Sequence, residues 1–319
     1  IITGLKPTGA GLHIGNYFGA FQPFLQQAQG NEAYIFLADY HSLTSVHDAE
    51  DLKNFKKRML IEYFSLIPDN ANITVFEQSK VNHINDINWI ISSMTPYSLM
   101  LRAHTFKDTQ AKNQDINMAT FNYPILMSAD ILAYDIELVP VGKDQKQHLE
   151  FARDIAGYFN RNYKTEIFTL PEAYIVPELQ TIPGTDGRKM SKSYNNHIGI
   201  FDTEKQIKKK IMSIETGSET LEEPKDPENC NVFALIKLFA DEAKQQEIAE
   251  KYKAGNYGYG HAKLELLDLF LKYFQTQREK YQKYSEDFSL IEEKLKTGNT
   301  IANNLATKKY NDLMEVVGL

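Results

Sequence analysis

The chain has 319 residues, 42% hydrophobic and 24% charged, with a formal net charge of −7. These values exclude a disordered polypeptide and a protein that coats nucleic acid by charge alone, which needs an excess of Lys and Arg. The single cysteine, Cys230, excludes an internal disulfide framework and any multi-cysteine metal site, and the length exceeds the usual single domain.

The first element is a loop, residues 4–17, holding four glycines, Lys6 and His13. After it, Tyr17, Phe18, Phe21, Phe24, Leu25 and Ala28 recur at spacings of three and four, the stripe of an amphipathic helix, with Asn16 as its expected N-cap. Residues 34–38, 73–76 and 138–141 are short apolar runs without alternation and predict buried parallel strands. Following the last run, Leu149, Ala152, Ile155, Ala156 and Phe159 form one helical face. Repeated strand–loop–helix units predict a doubly wound parallel α/β sheet, Rossmann-like, whose ligands sit outside the carboxyl ends of the strands. That places the glycine loop and residues 142–145 at the site.

From about residue 199 the chain is rich in Lys and Glu, with Leu264, Leu267, Phe270, Leu271 and Phe274 on a helical stripe and no evident strand. We expect a catalytic unit over residues 1–198 and a mainly helical unit over 199–319, whose last helix has the option of packing back on the first. No signal segment and no apolar run of spanning length occur, so a soluble cytoplasmic chain lacking its initiator Met is expected, with no membrane partner.

Two loops carry chemistry. In His13-Ile14-Gly15-Asn16, free backbone N–H groups at a helix start make an anion site, with His13 and Lys6 as further donors. Alone this is equally a structural turn, and it is neither a Walker A sequence nor a GxGxxG fingerprint. The second loop, 184–193, ends in Lys189-Met190-Ser191-Lys192-Ser193. A closing lysine loop suits a pyrophosphate leaving group, although a basic loop of unspecified sequence is usually a solvated turn.

HIGN followed later by KMSKS, on a doubly wound pattern, resembles the paired signatures of class I aminoacyl-tRNA synthetases. Residues 122–134 (NYPILMSADILAY) and 139–148 (VPVGKDQKQH), with 39–44 (DYHSLT), are similar to segments of the bacterial tryptophanyl-tRNA synthetases. The resemblance implies tryptophan activation with ATP, Mg2+ as counter-charge and transfer to tRNA(Trp) by a homodimer. It also implies that the helical unit reads the anticodon. Lys205, Lys208, Lys209 and Lys210 could touch RNA phosphates, but a lysine run is usually a solvated face.

For tryptophan, the resemblance implies that Asp130 accepts the indole N–H between Met127, Val139 and Val141, with Gly4, Lys6, His41 and Tyr123 nearby and Gln145 at the amino group. The spacing of Tyr123, Met127 and Asp130 puts them on one helical face, which an ordinary buried helix with a paired Asp would also show. For ATP it implies Lys6, Thr8, Gly9, His13, Gly15, Asn16, Gly142, Asp144, Gln145, Lys189, Met190 and Lys192. Catalysis falls to Lys189, Lys192, Ser193, His13 and Lys107, with Lys112 less specific; no protein metal ligand is expected. Three residues depart from common family choices: Lys6 in place of Gln, Lys143 in place of Glu, and Ile2 in place of an aromatic residue. The rivals are a tyrosyl enzyme, whose Gly-Gly-x-Asp-Gln element is missing, a catalytically silent paralogue that binds tRNA, and a pantothenate-synthetase-like ligase.

Overall fold

The three apolar runs become strands, and two further strands of four residues join them. In the computed structural model, which describes residues 1–9, 11–103, 106, 110, 117–141, 146–175 and 182–319, β1 is Ile2–Leu5, β2 Ala33–Leu37, β3 Ile73–Glu77, β4 Leu138–Val141 and β5 Glu172–Ile175. β1, β2 and β3 pair in parallel, Ile2 opposite Tyr34 and Ala33 opposite Ile73. β4 pairs in parallel with β5, Leu138 opposite Glu172, and β4 lies beside β1. The order is therefore 3-2-1 followed by 4-5. It reverses between β1 and β4, where a doubly wound sheet opens its ligand crevice.

Both faces of this sheet are covered, which is why its strands read as continuous apolar runs. Ile35, Leu37 and Val75 face one core, and Tyr34, Phe36 and Phe76 face the other. On the first side lie α1 (residues 14–27) and α3 (Ala49–Leu66). On the second lie α4 (Ile84–Met94), α5 (Met118–Leu132) and α6 (Lys146–Tyr163), and all five residues of the predicted α6 face are buried. α2, Asp39–Ser42, is a single turn beyond the end of β2.

α1 differs from expectation at its start. His13, not Asn16, is the N-cap: its side chain accepts from the Asn16 amide, while Asn16 Oδ1 accepts from the His13 amide. The helix then widens into a π-turn over Tyr17–Phe21, burying Tyr17, Phe18 and Phe21.

Beyond residue 203 the described chain is helical: α7 Glu204–Met212, α8 Asn231–Ile236, α9 Glu242–Ala254, α10 Tyr259–Tyr273, α11 Gln275–Glu286 and α12 Ser289–Val317. α7 to α10 share the first core with the sheet, where Phe18 packs its ring against Phe239 and Phe274, whereas α12 buries Ala302, Ala306 and Leu313 in the second. On the α10 stripe Leu267, Phe270 and Phe274 are buried, but Leu264 is exposed and Leu266 takes its place. α12 returns to the outer edge of β3. Asn299 Oδ1 accepts from the Glu77 amide at 2.8 Å and Asn303 Oδ1 from the Asn82 amide at 2.7 Å, so side chains close an edge that has no partner strand. Among the described residues no helix is long and apolar enough to cross a membrane.

Candidate active site

Asp130 sits near the end of α5, a helix begun by an Asn117 side-chain cap and interrupted at Pro124, whose carbonyl accepts from Ser128 Oγ instead. Only 2% of Asp130 is exposed. Its carboxylate is held from two sides. His41 Nε2 lies 2.8 Å from Oδ2, and Gln78 Nε2 donates to Oδ1 and Oδ2 at 2.8 Å each. Burial pushes the Asp130 carboxyl above the usual carboxylate range, and the His41 and Gln78 hydrogen bonds pull it back. Among the described residues Oδ1 accepts only from Gln78, which leaves an acceptor position for one further N–H.

The surroundings are flat and apolar. The Tyr123 ring meets the His41 ring edge-on at 6.2 Å, so Tyr123 and Asp130 do share a face, and the Tyr123 hydroxyl bonds to His148 Nε2. Met127 packs against the core that contains Ile2, Phe36 and Val139. Ile2 is fully buried there. Gly4 lies under the Phe36 ring, where a Cβ would fall 2.4 Å from ring carbons.

Gln78 carries more than its one residue suggests. Its Oε1 accepts from the Tyr40 amide at 3.0 Å, tying the turn after β3 to the turn after β2. Beside it, Asp39 accepts from the Ser79 amide at 2.9 Å and from Lys56 Nζ at 2.5 Å, and Lys56 also reaches Glu77 at 3.0 Å. This network fixes the carboxyl ends of two strands under the pocket.

The two signature loops meet at the end of β1. Ile14 N donates to the Ile198 carbonyl at 3.1 Å and Ile200 N to the Leu12 carbonyl at 3.0 Å, stitching HIGN to the segment that leaves KMSKS. Met190 is buried against Gly15, where an added Cβ would lie 3.2 Å from Met190 Cβ and 2.9 Å from His13 Nδ1. Asn196, also buried, organises the lysine loop: Oδ1 accepts from the Ser191 amide and Nδ2 donates to Asp186 Oδ1, both at 2.7 Å. Lys189 and Ser193 are exposed and Lys192 is half-buried.

Burial, then the neighbouring Lys192 and His197, push the His13 imidazole down to about 3, so it is neutral at pH 7. With Nδ1 accepting from Asn16, the proton is assigned to Nε2, which is then a donor rather than a cation. Burial also lowers Lys6, whose Nζ donates to Thr44 Oγ1 at 2.7 Å. Lys192 is lowered by burial, with Glu62 opposing that and Arg58 adding to it. Thr8 is half-buried and Gly9 exposed, the latter close to the Phe55 ring.

Lys107, Lys112, Gly142, Lys143, Asp144, Gln145 and the Val141 side chain lie outside the described residues. Sequence reasoning missed Gln78 and Asn196. The position of Gln78 just past β3, at the carboxyl end of a strand, was the available signal. A cleft of about 350 Å3 lined by Phe201, Thr203, Arg278 and Tyr281 lies away from these groups, among the helices.

The family of class I tRNA synthetases for tryptophan and tyrosine (W and Y) matches residues 1–275. The tryptophan–tRNA ligase of Fusobacterium nucleatum is 46% identical over 318 residues, covering 100% of this chain and 97% of that protein. Campylobacter jejuni tryptophanyl-tRNA synthetase, crystallised in complex with ADP and tryptophan, is 46% identical and superposes with a TM-score of 0.95 over 100% of this chain and 99% of its own. The Mycoplasma pneumoniae tryptophanyl-tRNA synthetase, at 24% identity, has the same fold, with a TM-score of 0.81 over 100% of this chain and 97% of its own.

Proposed function

The chain belongs to the class I tRNA synthetases for tryptophan and tyrosine, and from that premise we propose a tryptophan–tRNA ligase with the following division of labour. It activates L-tryptophan with ATP to tryptophanyl-adenylate and pyrophosphate, then transfers the tryptophanyl group to tRNA(Trp). The observation that carries the choice of amino acid is Asp130: a buried carboxylate with its donors fixed and one acceptor position open suits the single N–H of an indole.

A tryptophan carboxylate oxygen attacks the α-phosphorus of ATP. The new P–O bond forms as the bond to the bridging oxygen breaks, and the electron pair leaves with pyrophosphate. The substrate supplies the nucleophile, so the protein contributes alignment and cations. Lys189, Lys192 and Ser193 meet charge on the leaving group, with Lys107 reaching the same phosphates. His13, through Nε2–H, and Asn16 hold the polyphosphate with Lys6, Gly15 gives adenine a face to lie against, and Thr8, Gly9, Gly142 and Met190 are further ATP contacts. Asp144 takes the ribose hydroxyls and Gln145 the amino group.

Mg2+ would supply counter-charge to the triphosphate. We assign residues 1–198 to catalysis and 199–319 to the anticodon, in a homodimer working in the cytoplasm. Exposed Trp89, Tyr97 and Met118 support the homodimer.

The test is ATP–pyrophosphate exchange by the purified protein, screened over the standard amino acids. Exchange should depend on tryptophan; equal or better exchange with tyrosine would overturn the assignment.

A further inference from the structure

α3 carries an ion pair, with a buried carboxylate and a partly exposed guanidinium, that the reaction above does not use. Glu62 is 0% exposed and lies between Ile61 and Tyr63, which are buried as well. Its Oε1 accepts from Arg58 Nε, one turn earlier, at 2.8 Å. Its Oε2 leaves the helix altogether and accepts from the backbone amide of Leu12 at 2.7 Å. The other side of that residue's backbone is also held, since the Leu12 carbonyl accepts from Ile200 N. Leu12 is thus fixed between α3 and the segment leaving the lysine loop, immediately before His13.

Gly11 is glycine for the same reason. A Cβ there would lie 2.1 Å from Glu62 Oε1 and 2.3 Å from Arg58 Nη2, so the loop rests directly on the pair. Arg58 Nη2 also lies 3.9 Å from Asp202 Oδ1, in the same segment after the lysine loop.

Taking the Glu62 carboxylate out of water is costly, and replacing a buried ion pair by apolar residues of similar volume is often neutral or stabilising, so stability alone does not account for this arrangement. A leucine at position 62 would avoid that desolvation. What a leucine lacks is an acceptor for the Leu12 amide. The guanidinium answers a second requirement: Glu62 acts electrostatically on Lys192, and a lone carboxylate beside a polyphosphate site would repel the ligand.

We propose that Glu62, with Arg58 as its counter-ion, is a positioning pair for the ATP subsite, setting the backbone of residues 11–13 and hence where His13 and Gly15 stand against the lysine loop. This rests on the reading of the HIGN loop as that subsite.

The experiment is steady-state ATP–pyrophosphate exchange with ATP and tryptophan varied separately, together with thermal unfolding, for the wild type and four variants. Glu62→Leu should raise KM for ATP about tenfold or more, the scale of a misplaced binding group, with KM for tryptophan little changed and Tm lowered, since Arg58 and the Leu12 amide both lose their partner. Glu62→Gln, whose amide oxygen still accepts from Leu12, should recover most of that loss. Gly11→Ala leaves α3 intact but displaces the loop, and should reproduce the rise even where Glu62→Leu does not fold. An unchanged KM for ATP in Glu62→Leu and Gly11→Ala, a parallel rise for both substrates, or a loss of Tm alone overturns the proposal. His13→Ala separates the two readings. If it raises KM for ATP while the Glu62 and Gly11 variants do not, only the positioning role fails; if it does not, the ATP subsite itself is misplaced.

Discussion

At the scale of single residues, the specificity proposed for this site would rest on how many donors Asp130 can accept. His41 and Gln78 occupy most of its acceptor positions and orient it, and the one left can distinguish indole from a phenyl ring. In Asp130→Asn the new amide N–H would confront either the Gln78 amide or the ligand, leaving a buried donor unsatisfied. That should lower the tryptophan-over-phenylalanine ratio of kcat/KM by about 30-fold, equivalent to about 2 kcal/mol. An unchanged ratio would show that another group reads the N–H. His13 predicts a pH effect of definite sign. Its folded pKa of about 3 lies below the ordinary value of 6.5, so between these limits the unfolded chain binds the extra proton and stability falls with acidification. The buried Asp130 and Glu62 carboxyls, raised by burial, work in the opposite direction, so the effect must be read by difference. Urea unfolding at pH 7.5 and 5 should show the wild type losing about 2 kcal/mol more than His13→Gln. Equal losses would mean that His13 takes up its proton as readily folded as unfolded.

At the scale of elements, the most informative contact is α12 on the edge of β3. Gly298 lies in the middle of this long helix, and a Cβ there would stand 1.9 Å from the Val75 carbonyl oxygen. In an isolated helix Gly→Ala would gain about 1 kcal/mol. Here it should destabilise by about 2 kcal/mol, because the helix must lift off the strand and loosen the Asn299 and Asn303 caps. Urea denaturation measures the sign directly, and a gain in stability would show that α12 is not seated on the strand. No sequence pattern could have announced this glycine, since its reason lies on a strand far away in the chain. The strands divide similarly. β2, β3 and β4 were legible because burial on both faces leaves an unbroken apolar run. β1 contains Gly4 and β5 starts with Glu172 and spans only four residues, so each is a strand chiefly through its parallel pairing, with β2 and β4 respectively. The signature loops were legible as contiguous strings. Gln78, Asn196 and Glu62 were not, since each acts on a backbone or carboxylate that only folding brings near it.

At the scale of the molecule, the surface holds an anomaly in its only tryptophan. Trp89 on α4 is 76% exposed, and Tyr97 and Met118, in the chain between α4 and the start of α5, are each 68% exposed. Tyr97 rests its ring on Phe121 of α5, which makes these side chains features of packed elements rather than of frayed ends. Aromatic side chains commonly anchor protein–protein contacts. A second copy of the chain is the partner we assign, with Trp89 as an anchor. Because it is the sole tryptophan, its fluorescence reports association without labelling. The wild type should sediment as a dimer at micromolar concentration, and its emission should shift to the red on dilution as Trp89 returns to water. Trp89→Glu would place a carboxylate in the contact and should weaken association at least about 100-fold, close to 3 kcal/mol, leaving a folded monomer. A wild type that sediments as a monomer with emission independent of concentration would rule out this face as the dimer contact.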